Sequence, residues 1–324
     1  MIKIVKEKTN EKNIYIGTHN GIFHCDELVA IAILAILTKK DGDLKVIRSR
    51  DIDFLERNVD LLVDIGGGEY DHHQKGGNGK RDNGVMYASA GLIWKDYGQK
   101  IIDNVSKGLL KTKEISFIFN EIDKNIIQNV DMVDNGQFTT NQQFSFIKSF
   151  LPKWNSNEDY DLKFQECVNV IYEILDNTIE SYVSLYFAKK EINNRLQNKS
   201  THFDNILILP SQTIPWTKEI IYYNDHSSNK IDFVVFPYPN GGYALQCVPL
   251  SKENLFSRRI PLPEEWAGET TKLPEISGFK SATFCHNGRF FARADDYNDI
   301  IEMCNVATKI YKEQKRLSLK REFN

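Results

Sequence analysis

Four of the seven histidines of this 324-residue chain fall in two short stretches. His19 and His24 share one stretch with Asp26, and His72 and His73 follow Asp71 directly in the other. Asp64 lies between them, at the end of the apolar run Leu61 to Ile65, and Asp131 and Asp134 come later. Imidazole and carboxylate ligands together suit manganese, iron, cobalt or zinc. One ion takes four to six ligands, so the set is large enough for two divalent ions. Two ions about 3.5–4 Å apart clamp the attacking and leaving oxygens of a phosphoryl transfer. A carboxylate must bridge them, and Asp64, central in chain order, is the choice. A single histidine in a loop is ordinarily just a polar loop residue; it is the joint occurrence with the aspartates that carries weight.

Such ligands need elements that present them at one edge. Ile14 to Ile16 reads as a first strand ended by Gly17, and the His19–Cys25 loop follows it. A helix from Asp26 to about Lys39 has acids in its first turn, as the helix dipole prefers, and is apolar nearly all round, so it should be buried. Leu44 to Arg48 and Leu61 to Ile65 read as further strands, with a short helix at Asp51 to Glu56 between them. Strands alternating with helices imply a parallel α/β sheet, whose ligands bind beyond the carboxyl ends of the strands. Gly76 to Gly84 reads as a flexible loop, with helices from about Tyr87 to Tyr97 and Lys113 to Val133. The second would end at Asp134-Asn135-Gly136. Asp131 and Asp134 then lie in its last turn, against the dipole, where a metal cation would compensate them. Either could be the fourth-motif ligand.

A helical pattern from Asp161 to Asn198, as one helix or two, leads to a boundary near Asn198-Lys199-Ser200. The expected domains are 1–198 and 199–324. The second reads as α+β. Its strands are Ile206 to Leu209, Ile231 to Phe236 and Tyr243 to Val248, with a turn at Asn240-Gly241-Gly242. A second hairpin turns at His286-Asn287-Gly288, and a helix from Asp296 to Lys315 closes the domain. Lys315, Arg316, Lys320 and Arg321 make a basic tail, read as a solvated end.

Other residues have competing readings. Cys25 beside His24 suggests a nucleophile, but adjacent side chains diverge, and a small buried apolar residue is the better account. Arg48 and Arg50 flank Ser49; they contact a phosphate or pair with Asp51 and Asp53. Gly66 to Gly68 is a tight turn rather than a phosphate loop, because no Lys-Ser/Thr follows. His202 and His226 read as plain loop residues. The net charge of −3 carries no basic footprint for a long duplex, so a nucleic-acid ligand would be short or held locally near metal. Five scattered cysteines without a C-x-x-C pair argue for a reduced compartment. The longest apolar run, Leu28 to Leu37, is about half a membrane span, and the first residues hold no secretory signal. The expectation is a cytoplasmic protein without a membrane partner. Apolar helices after residue 160 offer a surface for a homodimer.

Several stretches resemble the Myg (melanocyte proliferating gene) exonuclease family: Gly17 to Glu27 (GTHNGIFHCDE), Arg48 to Asp51 (RSRD), Val63 to Gly67 (VDIGG) and Tyr70 to Gln74 (YDHHQ). Ser89 to Gly91, Val130 to Gly136, Pro215 to Lys218, Phe256 to Arg258, Pro263 to Trp266 and Ser277 to His286 continue the likeness. That family in turn resembles the DHH phosphoesterases. The resemblance implies a catalytic parallel-sheet domain of DHH type, a helical linker and a smaller substrate-binding domain. It implies metal-dependent hydrolysis of phosphodiester bonds, 3′ to 5′, on short RNA or single-stranded DNA, with a metal-activated water. A phosphorylated nucleotide, pyrophosphate or cyclic dinucleotide is the alternative substrate, and a non-catalytic metal-binding regulator the alternative class. Two divalent ions are implied, manganese first, with magnesium, cobalt or iron as the others. One would take His19, His24 and Asp64, and the other Asp26, Asp64, His72 and Asp134. Asp134 is favoured over Asp131 because Asp134 to Phe138 resembles the superfamily's Asp-Thr-Gly-x-Phe. His73, grouped with Asp71 as catalytic, would touch the phosphate. Arg258, His286 and Arg289 would contact the 3′ end, with Phe256, Phe290 and Phe291 as base platforms. Two departures stand out. His24 replaces the aspartate usual in the superfamily, and Arg289 to Ala292 (RFFA) stands where a Gly-Gly pair is expected.

Overall fold

The computed structural model describes residues 2–9, 12–40, 42–137 and 144–322, with side chains to residue 319. Two compact units divide the chain, Met1–Ser184 and Leu185–Asn324.

The first unit carries a four-stranded sheet of β1 (Lys3–Ile4), β2 (Ile14–Thr18), β3 (Leu44–Arg48) and β4 (Leu61–Leu62). The spatial order is β1-β3-β2-β4, and every pairing is parallel. This is the α/β architecture expected from the alternation of strands and helices. The edge strand β1 was not expected, since its two residues are too short for a periodic signal. Gly17 does not end β2 but lies within it. A Cβ there would meet Leu62 Cδ2 at 2.8 Å and Val59 Cγ2 at 3.1 Å, so glycine lets α2 and β4 close onto the strand. β4 stops two residues before Asp64, whose φ of +60° breaks the extended path.

α1 (Cys25–Thr38) links β2 to β3, and α2 (Ile52–Asn58) links β3 to β4. The chain steps one way from β2 to β3 and then back past β2 to β4. Right-handed crossovers therefore put α1 and α2 on opposite faces of the sheet. α2 covers Tyr15 and Ile47 with Leu55. α1 is buried from Asp26 to Ile36, as its apolar circumference requires. The reversal of strand order leaves a crevice beyond the ends of β2 and β4.

α3 (Ser89–Val105), α4 (Thr112–Ile122) and α5 (Gln128–Asp134) follow. The expected helix of 113–133 is interrupted by a π-helical turn, Asp123–Ile127. α5 ends at the expected stop, with Gly136 at φ +67°. The expected flexible loop at 76–84 is in fact pinned. Arg81 Nε and Nη2 grip both oxygens of Asp123 at 2.8 and 2.6 Å, and Nη1 grips Asp131 at 2.7 Å. The pattern after residue 160 is one helix, α6 (Tyr160–Gln197), and the division between units falls inside it.

The second unit holds β5 (His202–Phe203), β6 (Ile206–Ile208), α7 (Thr217–His226), β7 (Phe233–Pro237), β8 (Tyr243–Cys247), α8 (Leu273–Ser277), β9 (Ala282–Cys285), β10 (Phe291–Ala294) and α9 (Tyr297–Glu322). The six strands form a mixed sheet in the order β5-β6-β7-β8-β10-β9. Strand alternation feeds two cores. Phe233, Val235, Leu245 and Cys247 face Ile300, Met303 and Cys304 of α9, whereas Val234, Phe236 and Ala244 face Trp216, Ile220 and Ile192. Both expected hairpins form, and Gly241 and Gly242 turn the first at φ +93° and +71°. The side chains of Lys320 and Arg321, part of the expected basic tail, lie outside the described residues. No helix among the described residues is long and apolar enough to cross a membrane.

Candidate metal centre

The crevice beyond β2 and β4 collects acids and imidazoles. His19 follows β2 directly. Its Nδ1 lies 3.2 Å from the Asn20 carbonyl oxygen, and its Nε2 lies 3.4 Å from Asp64 Oδ2 and from Glu27 Oε1. A ring that donates from Nδ1 turns its Nε2 lone pair toward carboxylates. Two electron-rich atoms face each other there unless a proton or a cation lies between them. Burial lowers the pKa of His19, but the Asp64 and Glu27 carboxylates outweigh it and push the imidazole up to about 10.

His72 repeats the arrangement. Its Nε2 is 3.0 Å from Asp134 Oδ2, 3.4 Å from Asp64 Oδ1 and 3.5 Å from Asp26 Oδ2. It is buried and makes a directed hydrogen bond to none of them. Burial again opposes the charged ring, yet Asp134 and Asp64 push its pKa up to about 10. Asn135 Oδ1 lies 3.3 Å from the other ring nitrogen.

Asp64 is shared. It sits within ligand reach of His19, His24 and Glu27, and also of His72 and His73. Its left-handed backbone is rare outside glycine, asparagine and aspartate. The Asp64 N–H donates to the Tyr70 carbonyl at 2.9 Å, and Ser89 Oγ donates to its Oδ1 at 2.9 Å. Burial would raise its pKa, but the histidines hold it well below the usual carboxylate range. Asp26 is fully buried, and burial together with Asp64 and Asp134 pushes its pKa well up. Its Oδ1 has no partner, and neither does Glu27 Oε2. His24, Asp26 and Asp134 form a third group within ligand reach.

Buried carboxylates side by side, with orphaned oxygens and an imidazole nitrogen aimed at none of them, fit divalent cations by donor type and by charge. His19, His24, Glu27 and Asp64 could hold one ion, whereas the donors expected for a second are divided between two groups, Asp64 with His72 and His73, and Asp26 with His24 and Asp134.

Other expected residues lie elsewhere or act differently. Asp71 belongs to none of these groups among the described residues. Its Oδ2 accepts from the Gly67 N–H at 2.7 Å, and its Oδ1 faces His73 Nδ1 at 2.8 Å, so it aims the exposed His73 ring. Asp131 is in none of these groups; it pairs with Arg81 and accepts from the Gly91 N–H at 2.9 Å, while burial still pushes its carboxyl up to about 7. Arg48 pairs with neither Asp51 nor Asp53. Its buried guanidinium binds Asp161 at 2.9 Å, donates to the Gly21 carbonyl at 2.8 Å and stacks on Phe164. It braces the histidine loop from behind. Arg50 lines a 260 Å³ cavity with His19, His24, Asp64, Asp71 and His73. Cys25 lies at this edge, but burial first and the acids next push its thiol well up, which suits an inert residue. Phe138, the last residue of the fourth motif, lies outside the described residues.

In the second unit, Arg258 stacks over Phe290 at 4.9 Å, and the His286 ring lies 4.4 Å from the same ring. Arg289 has φ +57° and spends its Nε on the Leu262 carbonyl at 2.7 Å. Phe256 is 94% exposed, while Phe291 packs against the core that holds Val234.

Sequence reasoning missed Glu27. It looks like a dipole partner of α1, and it does accept from the His24 N–H at 2.8 Å. Only the fold adds that the same carboxylate faces His19. Arg81 was missed as well, since it carries no motif signal, and Ser89 was read only as part of the family likeness, with no role of its own.

The family model described as an uncharacterised protein family (UPF0160), labelled MYG1 exonuclease, matches residues 15–308. The chain belongs to this family. MYG1-family relatives include a MYG1 protein of Caenorhabditis elegans, 26% identical and covering 92% of this chain and 96% of its own. The human MYG1 exonuclease is 27% identical, over 85% of this chain and 80% of its own. A MYG1 protein of Dictyostelium discoideum is 29% identical, over 86% and 91%. No solved structure gives a significant match.

Proposed function

We propose that this member of the MYG1 family is a metal-dependent phosphodiesterase that removes nucleotides from an end of short RNA or single-stranded DNA, in the 3′ to 5′ direction. The observation that carries the reading is the shared Asp64 between two imidazole–carboxylate groups with orphaned buried oxygens. The names of the relatives support it. Divalent cations, manganese foremost, would polarise phosphoryl oxygens and activate water there. The chain's own residues do the rest. His73, aimed by Asp71, donates to a phosphate oxygen. Arg50 neutralises a second phosphate at the rim of the centre. Arg48 and Ser89 hold the histidine loop and Asp64 in place. Residues 1–198 would form a DHH-type catalytic domain with its linker helix, and 199–324 a substrate-binding domain. There Arg258, His286, Phe290 and Phe256 would receive the 3′ end. All five cysteines are unpaired, which fits a reducing compartment such as the cytoplasm.

The test pairs metal content with turnover. Asn accepts left-handed backbone as Asp does, so Asp64→Asn changes charge without changing the turn. Wild type should hold close to two transition-metal ions per chain and shorten a labelled oligonucleotide. Asp64→Asn should lose metal and activity together. Metal-loaded wild type that leaves oligonucleotides intact at enzyme excess would sink the reading.

A further inference from the structure

His24 and His73 line two cavities at once. The smaller, of 260 Å³, is the polar one with Arg50. The larger, of about 480 Å³, lies within the first unit and is apolar on its floor, where Phe23, Val133, Phe144, Ile147 and Leu151 meet. Its volume falls in the range of roughly 300–1,000 Å³ typical of small-molecule sites. Asp134 joins His24 and His73 in its wall, and Lys148 stands exposed beside them.

A group in the larger cavity can therefore reach His24 and His73 of the candidate centre. Phosphates suit the polar side with Arg50. A charged backbone would lose its hydration against Phe144 and Ile147 with no partner in return. The apolar side suits an uncharged, flat group that is covalently joined to a phosphate, and the ammonium of Lys148 meets the anionic end of such a group. A nucleobase on its sugar phosphate has that chemistry. Beside the apolar floor the lining adds Ser145 and Lys148, too few polar groups to read a base edge, so the contact is burial and stacking, which every base offers.

We propose that the apolar cavity between the 22–25 loop and the 145–149 segment is a nucleoside subsite, which takes the base joined to the phosphate at the metal centre without discriminating among bases. The proposal deepens the phosphodiesterase reading and rests on it for the orientation of the phosphate. Calorimetry on the full, manganese-loaded chain tests it with adenosine monophosphate, uridine monophosphate and ribose 5-phosphate. Both nucleotides should bind at least tenfold more tightly than the sugar phosphate. Ile147→Asp should erase that preference and leave ribose 5-phosphate affinity unchanged, and Leu151→Asp should do the same. Equal affinity of wild type for nucleotide and sugar phosphate overturns the subsite, and this comparison needs no variant to fold. A full nucleotide preference retained in both folded variants also overturns it. Turnover of a labelled oligonucleotide is scored separately. Its failure removes the phosphodiesterase reading, while the calorimetry still decides the subsite.

Discussion

Asp71 and Asp64 show how one residue type serves two ends. Asp64 points both oxygens into the centre from a left-handed backbone that an extended strand could not supply. Asp71, seven positions on, spends its oxygens on the Gly67 and His73 amides and on the His73 ring. Its contacts place it behind His73 and in none of the groups within ligand reach. Partners of this kind are worth about 10–100-fold in activity or metal affinity. Asp71→Asn should therefore lower kcat by about that factor while elemental analysis finds the metal content of wild type. Loss of metal in this variant would make Asp71 a ligand and undo the division of roles. Cys167 and Cys285 tell a simpler story. Burial pushes their thiols up to about 12, so they should resist thiol reagents in the native state and react on unfolding, as a chromogenic disulfide would report.

At the scale of elements, the ligands depend on how α3 and α5 are locked together. α5 carries Asp134 at its last residue and Asp131 one turn earlier. Asp131 takes the Gly91 amide of α3, and Arg81 ties Asp131 to Asp123 in the π-helical turn. A Cβ on Gly91 would sit 1.9 Å from Asp131 Oδ2, so the contact demands glycine. Arg81→Ala leaves Asp131 buried without its counter-charge, and breaking a buried pair costs roughly 3–5 kcal/mol. Urea unfolding should report a loss of that order. Because α5 would shift with it, metal affinity should fall too, although Arg81 touches no ligand. A variant with wild-type stability and unchanged metal binding would show that Arg81 is dispensable.

For the whole molecule, the candidate centre gathers buried carboxylates with unpartnered oxygens, which a cation would relieve. Burial opposes charge on His19 and His72, but the surrounding carboxylates outweigh it and push both imidazoles up to about 10, so both rings carry a proton at neutral pH without a cation. A metal must displace those protons. Metal uptake at neutral pH should therefore release protons, seen as a buffer-dependent calorimetric enthalpy, and affinity should weaken as pH falls. Binding to the native state alone adds about 2.7 kcal/mol at a free-metal concentration of 100 times Kd. Chelation should lower the Tm of the first unit's transition, and manganese should restore it. A Tm indifferent to chelator would mean that the cluster binds no ion with useful affinity.

Much of this was legible in the residues alone. The alternation of apolar strands and helices requires a parallel sheet, and a parallel sheet presents its strand-end loops on one edge, so His19, Asp64 and His72 had to meet. Those are local or topological constraints. What no spacing could decide is which way a helical side chain faces. Asp131 and Asp134 are nearly one turn apart with identical chemistry, and α3 and Arg81 alone send one to an ion pair and the other to the centre. Arg48 faces Phe164 and Asp161, more than 110 positions away, because packing of α6 creates that buried partner. Glu27 serves both a helix cap and the crevice for the same reason. Local sequence sets which groups can reach an edge. Long-range packing sets the electrostatic company each one keeps there, and for buried charge that company decides the role.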